Sequence, residues 1–390
     1  MSAATLDVAA VRRRYSSLQR GFTFLDAPGG SQVPDEVGEA MARALRDASG
    51  NLGAPYATGA RVEAILDQAR ADAGRMLGCS PGDVVFGASM TALDFALSRT
   101  AARDWREGDR ILVSRLDHDG GVAPWLELAA DRGFDVGWID VTEDLRLDLG
   151  DLERKLDERT KIVACVHASN AVGSVVDVRR VSELAHEAGA LAWIDAVHLA
   201  AHERIDVDAL GCDVLLCSAY KFCGPHLAVA YGRRELLESW RAYKARPAPS
   251  SPAGRRFETG TPPFELLAGF SATVAYFNTL GGIEAVREHE QALGARFLEL
   301  LPDSVVVYGL QTMEGRVPTF LINVDGVPAA EVAATMAARG YGVWAHDHWY
   351  ALGLRERLVY PDEAVRVGFI HYNTIEEVEG FAAELCRLTP

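Results

Sequence analysis

The sequence predicts an α/β protein with a large domain, built on a mostly parallel seven-stranded sheet, and a smaller C-terminal α+β domain. Short apolar runs alternate with helical patterns between about residues 83 and 232. A stretch rich in proline and serine then interrupts the alternation, and the strands and helices beyond it follow a less regular order. With 390 residues, of which 49% are hydrophobic, the chain can bury a large core and form two domains.

The first predicted element is a short amphipathic helix docked on the body, because apolar side chains recur at helical spacing: Val8, Val11, Tyr15 and Leu18. Seven apolar runs then predict the strands of the large sheet, at residues 84–86, 111–113, 136–139, 162–166, 191–194, 214–217 and 228–230. Residues 181–188, between two of these runs, have the apolar spacing of a helix. This alternation is typical of a parallel sheet with helices on both faces, whose ligands bind at the carboxyl ends of the strands.

The remaining residues predict the smaller domain. Residues 247–254 read as an exposed loop, and residues 266–280 as a long helix. Strands with helices between them are predicted at residues 305–307, 320–322 and 365–369. The predicted division is an N-terminal helix packing on the body at residues 1–20, a large cofactor-binding domain at 21–255 and a small C-terminal domain at 256–390.

Composition excludes several classes of partner. The net charge is −16 and the longest basic run is three residues, so neither nucleic acid nor an anionic membrane is an expected partner. No stretch reaches 18 consecutive apolar residues, and the N-terminus lacks the apolar segment of a secretory signal. The six cysteines show no metal-type pairing, which predicts a reduced, cytoplasmic protein without a metal site.

Two residues at predicted strand ends carry the sharpest chemical signal. Asp195 follows the strand at residues 191–194, and Lys221 closes the apolar segment that begins at Val214. Pyridoxal 5′-phosphate (PLP) needs this pair, because an amine must hold its aldehyde as a Schiff base while a carboxylate keeps its ring nitrogen protonated. The protonated ring can accept electrons from a substrate carbanion. For these two residues alone, the alternative is a lysine–aspartate salt bridge at the edge of the sheet.

A phosphate-binding segment is the second requirement of PLP. Ser89, Met90 and Thr91 follow a predicted strand and open a helix, so that backbone N–H groups and the Thr91 hydroxyl can meet a dianion. Ser218 and Tyr220, just before the lysine, supply further hydroxyl donors on the same side. The alternative for Ser89 and Thr91 is an ordinary helix N-cap.

The segment around the lysine resembles a known motif. Residues 217–225, Cys-Ser-Ala-Tyr-Lys-Phe-Cys-Gly-Pro, are similar to the Ser-x-His-Lys-x-x-Gly-Pro pattern of the class V aminotransferase family, with Tyr220 in place of the usual histidine. Further segments agree with the family in order and span nearly the whole chain: residues 116–119, 123–125, 169–170, 194–198, 257–262, 366–368 and 371–374. The chain resembles the cysteine desulfurase-like branch. That resemblance implies the PLP-dependent transferase fold (aspartate aminotransferase-like) and an amino-acid substrate.

The resemblance also implies roles for the residues around the cofactor ring. His118 would stack on the ring and Asp195 would pair with its nitrogen, since an imidazole offers a flat face and a buried carboxylate compensates a pyridinium. Asn170 and His198 would hydrogen-bond the ring oxygen or the substrate, although the family more often has glutamine at the position of His198. A core histidine with satisfied hydrogen bonds is the alternative for His198.

At the phosphate and carboxylate ends, the resemblance implies contacts from both subunits of a homodimer. The phosphate would be bound by Thr91, Ser218 and Tyr220. Thr261 would reach the phosphate of the neighbouring subunit, and the alternative for Thr261 is a turn before Pro262. Arg366 would take the substrate α-carboxylate, because its planar fork can bind both oxygens.

The sequence departs from cysteine desulfurases in the loop that carries their sulfur-accepting cysteine. Residues 341–350 correspond to that loop and contain no cysteine, and Trp344 replaces an arginine that is common just before it. Cys386, in the terminal helix, is predicted to be an inert thiol. The loop's aromatic and histidine residues suit a bulkier substrate side chain, with His346 or His348 as an acid or base. Ordinary polarity of an exposed loop is the alternative for these histidines.

The sequence leaves several reactions open. Loss of the substrate α-proton to Lys221 allows either β-elimination, which cleaves the C–S bond of a cysteine conjugate, or transamination. A decarboxylating course would instead break the bond to the carboxylate. Cysteine desulfuration and a non-catalytic role on the same fold also remain open. We expect β-elimination of a cysteine-derived substrate, because the branch resembles enzymes of sulfur amino acids while the sulfur-accepting cysteine is absent.

Overall fold

The computed structural model describes residues 6–358 and 363–388. Within these residues the strands are β1 (Thr23–Phe24), β2 (Val84–Gly87), β3 (Arg110–Ser114), β4 (Asp135–Ile139), β5 (Thr160–Val166), β6 (Leu191–Asp195), β7 (Val214–Ser218), β8 (Ala228–Gly232), β9 (Val305–Val307), β10 (Thr319–Val324), β11 (Tyr341–Gly342), β12 (Trp344–His346) and β13 (Ala364–Gly368). The helices are α1 (Val8–Arg12), α2 (Asp35–Asp47), α3 (Ala57–Leu77), α4 (Met90–Ala101), α5 (Asp119–Arg132), α6 (Leu149–Lys155), α7 (Val178–Glu187), α8 (Val207–Leu210), α9 (Arg234–Ser239), α10 (Phe264–Thr279), α11 (Ile283–Leu300), α12 (Ala329–Ala338), α13 (Leu352–Arg355) and α14 (Ile375–Cys386).

The large sheet has the strand order β2-β8-β7-β6-β5-β3-β4. Every neighbouring pair is parallel except those of β8, which runs antiparallel to β2 and to β7. The predicted α/β fold with a mostly parallel seven-stranded sheet is therefore confirmed. The central strands are buried on both faces, which explains why they appear in the sequence as continuous apolar runs.

The register of the central strands brings their carboxyl ends together. Val166, the last residue of β5, pairs with Asp195, the last residue of β6, and Asp195 pairs in turn with Leu216 of β7. Because the three strands are parallel, the polar residues that follow them gather at one edge of the sheet. Asp195 and the residues that follow β7 are consequently neighbours in space.

A second sheet has the order β12-β13-β10-β9 and is antiparallel throughout. It contains the three strands predicted after residue 300, and a separate apolar cluster fills the space between it and helices such as α11 and α14. A two-stranded parallel sheet pairs β1 with β11, so the start of the chain reaches its last third. The predicted division at residues 1–20, 21–255 and 256–390 stays a prediction.

The N-terminal segment differs from the single helix that was predicted. It forms α1 and then a separate 3₁₀ helix, Ser16–Arg20, because Tyr15 between them is extended, with φ −122° and ψ 101°. Val11, Tyr15 and Leu18 are nevertheless buried, so the predicted docking face is present. Among the described residues, no single helix has both the length and the apolar composition to cross a membrane; α10 and α11 together do, across a 74° bend.

Candidate active site

A cavity lies at the carboxyl ends of the central strands. Its walls combine Pro28, from the segment after β1, with residues at or just after the ends of β2, β3, β5, β6 and β7: Ser89, Met90, Thr91, His118, Val166, Asn170, Asp195, Val197, His198, Ser218, Tyr220 and Lys221. The structure therefore brings together every residue that the sequence suggested for the cofactor except Thr261. Thr261 is exposed, in the loop between a 3₁₀ helix and α10, and does not line the cavity of its own chain.

Lys221 reaches the cavity from a 3₁₀ turn, Ala219–Lys221, directly after β7. Its Nζ donates a hydrogen bond to the Pro28 carbonyl and lies 4.8 Å from the centre of the Tyr220 ring. Burial, with a smaller contribution from the Arg366 guanidinium, lowers the pKa of Lys221 to about 7 against the opposing charges of Asp26 and Asp195. Much of the amine is consequently neutral at neutral pH, as a nucleophile requires.

Asp195 is buried at the end of β6, and its Oδ1 accepts a hydrogen bond of 2.8 Å from the Val197 N–H. Burial raises the pKa of Asp195 to about 6, although the Val197 N–H and the charge of Lys221 oppose the rise. A cationic group in the cavity would offset the desolvation and favour the carboxylate. The pyridinium nitrogen of PLP is such a group.

Two further buried carboxyl groups surround Asp195, and sequence reasoning missed both. Burial raises the pKa of Asp117 and of Asp94 well above the ordinary range, and the charge of Asp195 raises both further. A Cβ atom on Gly121 would lie 3.5 Å from Asp195 Oδ2 and 3.7 Å from Asp117 Oδ1, so the first turn of α5 lies within van der Waals reach of both carboxyl groups. The one signal in the sequence was that Asp117 immediately precedes His118.

The first turn of α4 forms one wall of the cavity. Ser89 caps this helix through a hydrogen bond of 3.1 Å from the Ala92 N–H, so the N-cap interpretation of Ser89 is correct. The Met90 N–H donates to Ser218 Oγ at 3.3 Å, which joins the start of α4 to the end of β7. Backbone N–H groups, hydroxyls and the positive end of a helix dipole therefore converge here, a combination that favours an anion.

His118 presents an imidazole to the cavity. Its Nδ1 accepts a hydrogen bond of 2.9 Å from the Gly120 N–H and caps α5. Burial, with smaller contributions from the charges of Lys221 and Arg366, lowers the pKa of His118 to about 4, so the ring is neutral. The ring also stacks on Tyr350, with 5.3 Å between centroids and 19° between planes.

Asn170 and His198 occupy the wall between β5 and β6. The Asn170 side chain donates to the Trp349 carbonyl at 3.0 Å, while its buried Oδ1 has no partner among the described residues. His198 Nε2 lies 2.9 Å from Thr319 Oγ1, so His198 is a buried histidine with a hydrogen bond and also a cavity residue. The unpartnered amide oxygen marks a place where a bound group can supply a donor.

Arg366 is buried on β13, beside the cavity and outside its wall. Its Nε and Nη2 bind the Asp26 carboxylate at 2.8 and 3.2 Å, and its Nη1 donates to the Asn170 carbonyl at 3.3 Å. Asp26 was not found from the sequence, because the two residues are 340 positions apart. The pair holds the guanidinium next to Asn170 and Lys221.

His346 is the last residue of β12 and His348 lies in the loop after it, and neither residue lines the cavity. Asp347 Oδ1 lies 2.6 Å from His346 Nδ1 and 3.3 Å from His348 Nε2, so one carboxylate bridges both rings. Potential metal-ligand atoms of the three side chains come within 4.8 Å of one another, a cluster that sequence reasoning did not anticipate.

The cavity fits PLP by the chemistry of its groups. It offers an amine for an aldehyde, a buried carboxylate for a ring nitrogen, and hydroxyl and N–H donors for a phosphate. The neutral His118 ring adds a flat face, and Asn170 Oδ1 adds an unused acceptor. These parts of a PLP site converge on one cavity.

Comparison with known proteins agrees with the fold and with PLP as the cofactor. The family model "Aminotransferase class-V" matches residues 23–381. The chain is 31% identical over 414 residues to a probable cysteine desulfurase of Mycobacterium leprae, covering 99% of this chain and 98% of that relative. It is 30% identical over 399 residues to an aminotransferase-like protein of Gibberella zeae, covering 97% and 98% respectively. The chain therefore belongs to the class V aminotransferase family, and it is a PLP-dependent enzyme.

A solved structure is similar over the full length. The apo structure of a cysteine desulfurase from Thermococcus onnurineus superimposes with a TM-score of 0.93 at 24% identity, covering 100% of this chain and 99% of that one. At this identity the likeness establishes the fold. The predicted PLP-dependent transferase fold is confirmed.

Proposed function

We propose that this enzyme is a C–S lyase, which cleaves a cysteine-derived substrate by β-elimination without a persulfide-forming cysteine. The observation that carries the proposal is the composition of the cavity wall: none of the described residues that line it is a cysteine. Trp349 and Tyr350 lie in the loop where a desulfurase would carry one. An enzyme that breaks a C–S bond here would release the sulfur as a thiol.

The cysteine nearest to Lys221 in the chain is a poor sulfur acceptor. Cys223 is fully buried in the main apolar cluster, and burial raises its pKa to about 12. Its thiol is therefore protonated at neutral pH, whereas the thiolate is the nucleophile. Cys386 lies at the end of α14, outside the cavity.

The proposed roles follow from the geometry. When bound, PLP supplies an electron sink for the bond that breaks at the substrate α-carbon. Lys221 is proposed to hold the cofactor and then to take the α-proton on Nζ, since a pKa of about 7 leaves much of its amine neutral at neutral pH. The C–S bond then breaks, the electron pair leaves with the sulfur, and the three-carbon fragment is hydrolysed to pyruvate and ammonia. Arg366 is proposed to receive the α-carboxylate, with Asp26 as its positioning residue.

Product analysis tests this proposal directly. The holoenzyme is incubated with S-methyl-L-cysteine and with L-cysteine, and pyruvate, ammonia, thiol, alanine, sulfide and carbon dioxide are measured. We expect pyruvate, ammonia and thiol in equal amounts from the conjugate, with little alanine from cysteine. Alanine with persulfide from cysteine would establish desulfuration instead. A keto acid with pyridoxamine phosphate would establish transamination, and carbon dioxide would establish decarboxylation.

A further inference from the structure

Four side chains form a continuous row along β12 and the loop after it. They alternate in sequence: Trp344, His346, His348 and Tyr350. Successive ring centroids are 5.0, 4.3 and 5.3 Å apart, and each pair is T-shaped. Alternate residues of a strand project to the same side, which places Trp344 and His346 together, and the bend and turn after β12 bring His348 and Tyr350 into line with them. We call these four side chains the ring ladder.

Both ends of the ring ladder meet residues of the active site. At one end the Trp344 ring lies 5.1 Å from the centre of the Arg366 guanidinium. At the other end Tyr350 stacks on His118, the imidazole that lines the cavity. The ladder therefore spans from the proposed carboxylate-binding arginine to the residue proposed to cover the cofactor ring.

The backbone fixes the end of the ladder that touches His118. The Trp349 and Tyr350 carbonyls accept hydrogen bonds from Asn170 Nδ2 at 3.0 Å and from the Asp119 N–H at 2.5 Å. Trp349 and Tyr350 also have left-handed backbone conformations, with φ 46° and 59°, which is unusual for bulky residues. Such strain persists only where the surroundings impose it, and it occurs often at functional sites.

The side chains at the two ends of the ring ladder are exposed to solvent. Trp344 is 36% exposed and Tyr350 is 51% exposed, whereas the adjacent Trp349 is 2% exposed and packs into the core. Aromatic faces and edges attract other flat rings through offset and T-shaped contacts. An aliphatic group of the same size would gain the burial of apolar area but not these oriented contacts.

We propose that the ring ladder is the subsite for the sulfur substituent of the substrate and that it selects a flat aromatic or heteroaromatic group. The assignment to a sulfur substituent rests on the proposed lyase function. A substrate held by its carboxylate at Arg366 and by its α-carbon near Lys221 would extend its side chain along these rings. Trp344 and Tyr350 are then the residues that determine specificity.

Two unreactive ligands test this subsite without any turnover. The compounds 3-(phenylthio)propanoate and 3-(cyclohexylthio)propanoate carry the carboxylate and the sulfur but lack the amine, so neither can react with the cofactor. Their dissociation constants for the holoenzyme are measured by calorimetry. We expect the phenyl compound to bind about tenfold more tightly, since one or two oriented ring contacts amount to that factor.

Matched variants identify which rings cause the preference for the phenyl ligand over the cyclohexyl ligand. Trp344→Leu and Tyr350→Leu should each reduce the preference to about twofold or less, while Tyr350→Phe, which keeps the ring, should retain it. Circular dichroism and cofactor absorbance identify any variant that fails to fold. Equal affinity of the two ligands for the wild type would overturn the subsite, as would an unchanged preference in both leucine variants.

The two proposals fail separately. A holoenzyme that prefers the phenyl ligand but releases no pyruvate from either S-methyl-L-cysteine or S-phenyl-L-cysteine would retain the ring ladder as an aromatic subsite and remove the lyase function. A holoenzyme that releases pyruvate and methanethiol but binds both ligands equally would retain the lyase function and remove the subsite.

Discussion

Burial shifts the ionisation of the two side chains on which the proposed chemistry depends. The pKa of Lys221 falls to about 7 and that of Asp195 rises to about 6, because desolvation disfavours both charged forms. The amine is thereby prepared as a nucleophile and as a base. A cationic partner, such as the protonated ring nitrogen of PLP, would favour the ionised form of the carboxyl group.

We expect covalent attachment of PLP to the cofactor-free protein to follow the neutral fraction of Lys221. Below about pH 7 the amine is protonated and unreactive, and above it the amine is neutral, so the attachment rate should rise through neutrality and then level off. An ordinary lysine would show this rise near pH 10.5. The rate is measured from the visible absorbance of the attached cofactor, and borohydride reduction with mass spectrometry counts the attached groups.

Two variants accompany that measurement. Lys221→Ala should give no mass increase after reduction, whereas Lys161→Ala, a partly exposed lysine on β5, should behave like the wild type. A rate that keeps climbing to pH 10, or reduction of PLP onto the Lys221→Ala chain, would contradict the assignment.

At the scale of elements, the strands of the large sheet and the reactive residues at their ends could be predicted from the sequence, because both follow from apolar runs. Asp195 and Lys221 follow two such runs, so their meeting at one sheet edge could be expected before the structure was known. Contacts between distant segments could not be expected. Arg366 and Asp26 meet only because β13 and the turn after β1 lie side by side. The ring ladder was missed because β12 is short and carries polar and aromatic residues instead of an apolar run.

A buried ion pair secures the elements on one side of the site. Arg70 on α3 binds Glu258, which also accepts a hydrogen bond of 3.0 Å from the Phe86 N–H of β2. Arg70 donates in addition to the Val84 carbonyl at 2.8 Å. The pair thus joins α3, the edge strand of the large sheet and the segment before α10.

Removing one partner of this pair should be costly. Glu258→Ala leaves a buried guanidinium without its carboxylate, so we expect the free energy of unfolding to fall by ~3–5 kcal/mol in urea denaturation followed by circular dichroism. The double variant Arg70→Met with Glu258→Leu should lose less unfolding free energy, because it leaves no unpaired charge. Glu183→Ala in the exposed pair with Arg179 is the control and should change stability by less than about 1 kcal/mol. Equal losses of unfolding free energy in all three variants would contradict the expected cost of leaving a buried charge unpaired.

At the scale of the whole molecule, the position of Thr261 is informative. It is exposed and absent from the wall of its own cavity, in contrast to the other residues that the family resemblance assigned to the cofactor. Glu258, three residues earlier, is held in the body by Arg70, so the loop that carries Thr261 has a fixed base. We propose that the protein is a homodimer in which Thr261 binds the phosphate in the partner's site.

Thr261→Ala should therefore weaken PLP retention in a way that depends on the partner subunit. Loss of one hydrogen bond to a charged group typically costs ~1.5–3 kcal/mol, which corresponds to about a tenfold to hundredfold increase in the dissociation constant of PLP. Thr259→Ala, an exposed threonine on the same loop, is the control and should retain PLP normally.

Mixed dimers of Lys221→Ala with Thr261→Ala subunits give the decisive result. If Thr261 acts across the interface, one site of each mixed dimer combines Lys221 with an intact Thr261 and should hold PLP as tightly as the wild type. If Thr261 acts within its own chain, neither site of the mixed dimer is intact. Failure of the mixed dimer to recover tight PLP binding would therefore exclude the shared site. Light scattering that shows an active monomer would exclude it as well.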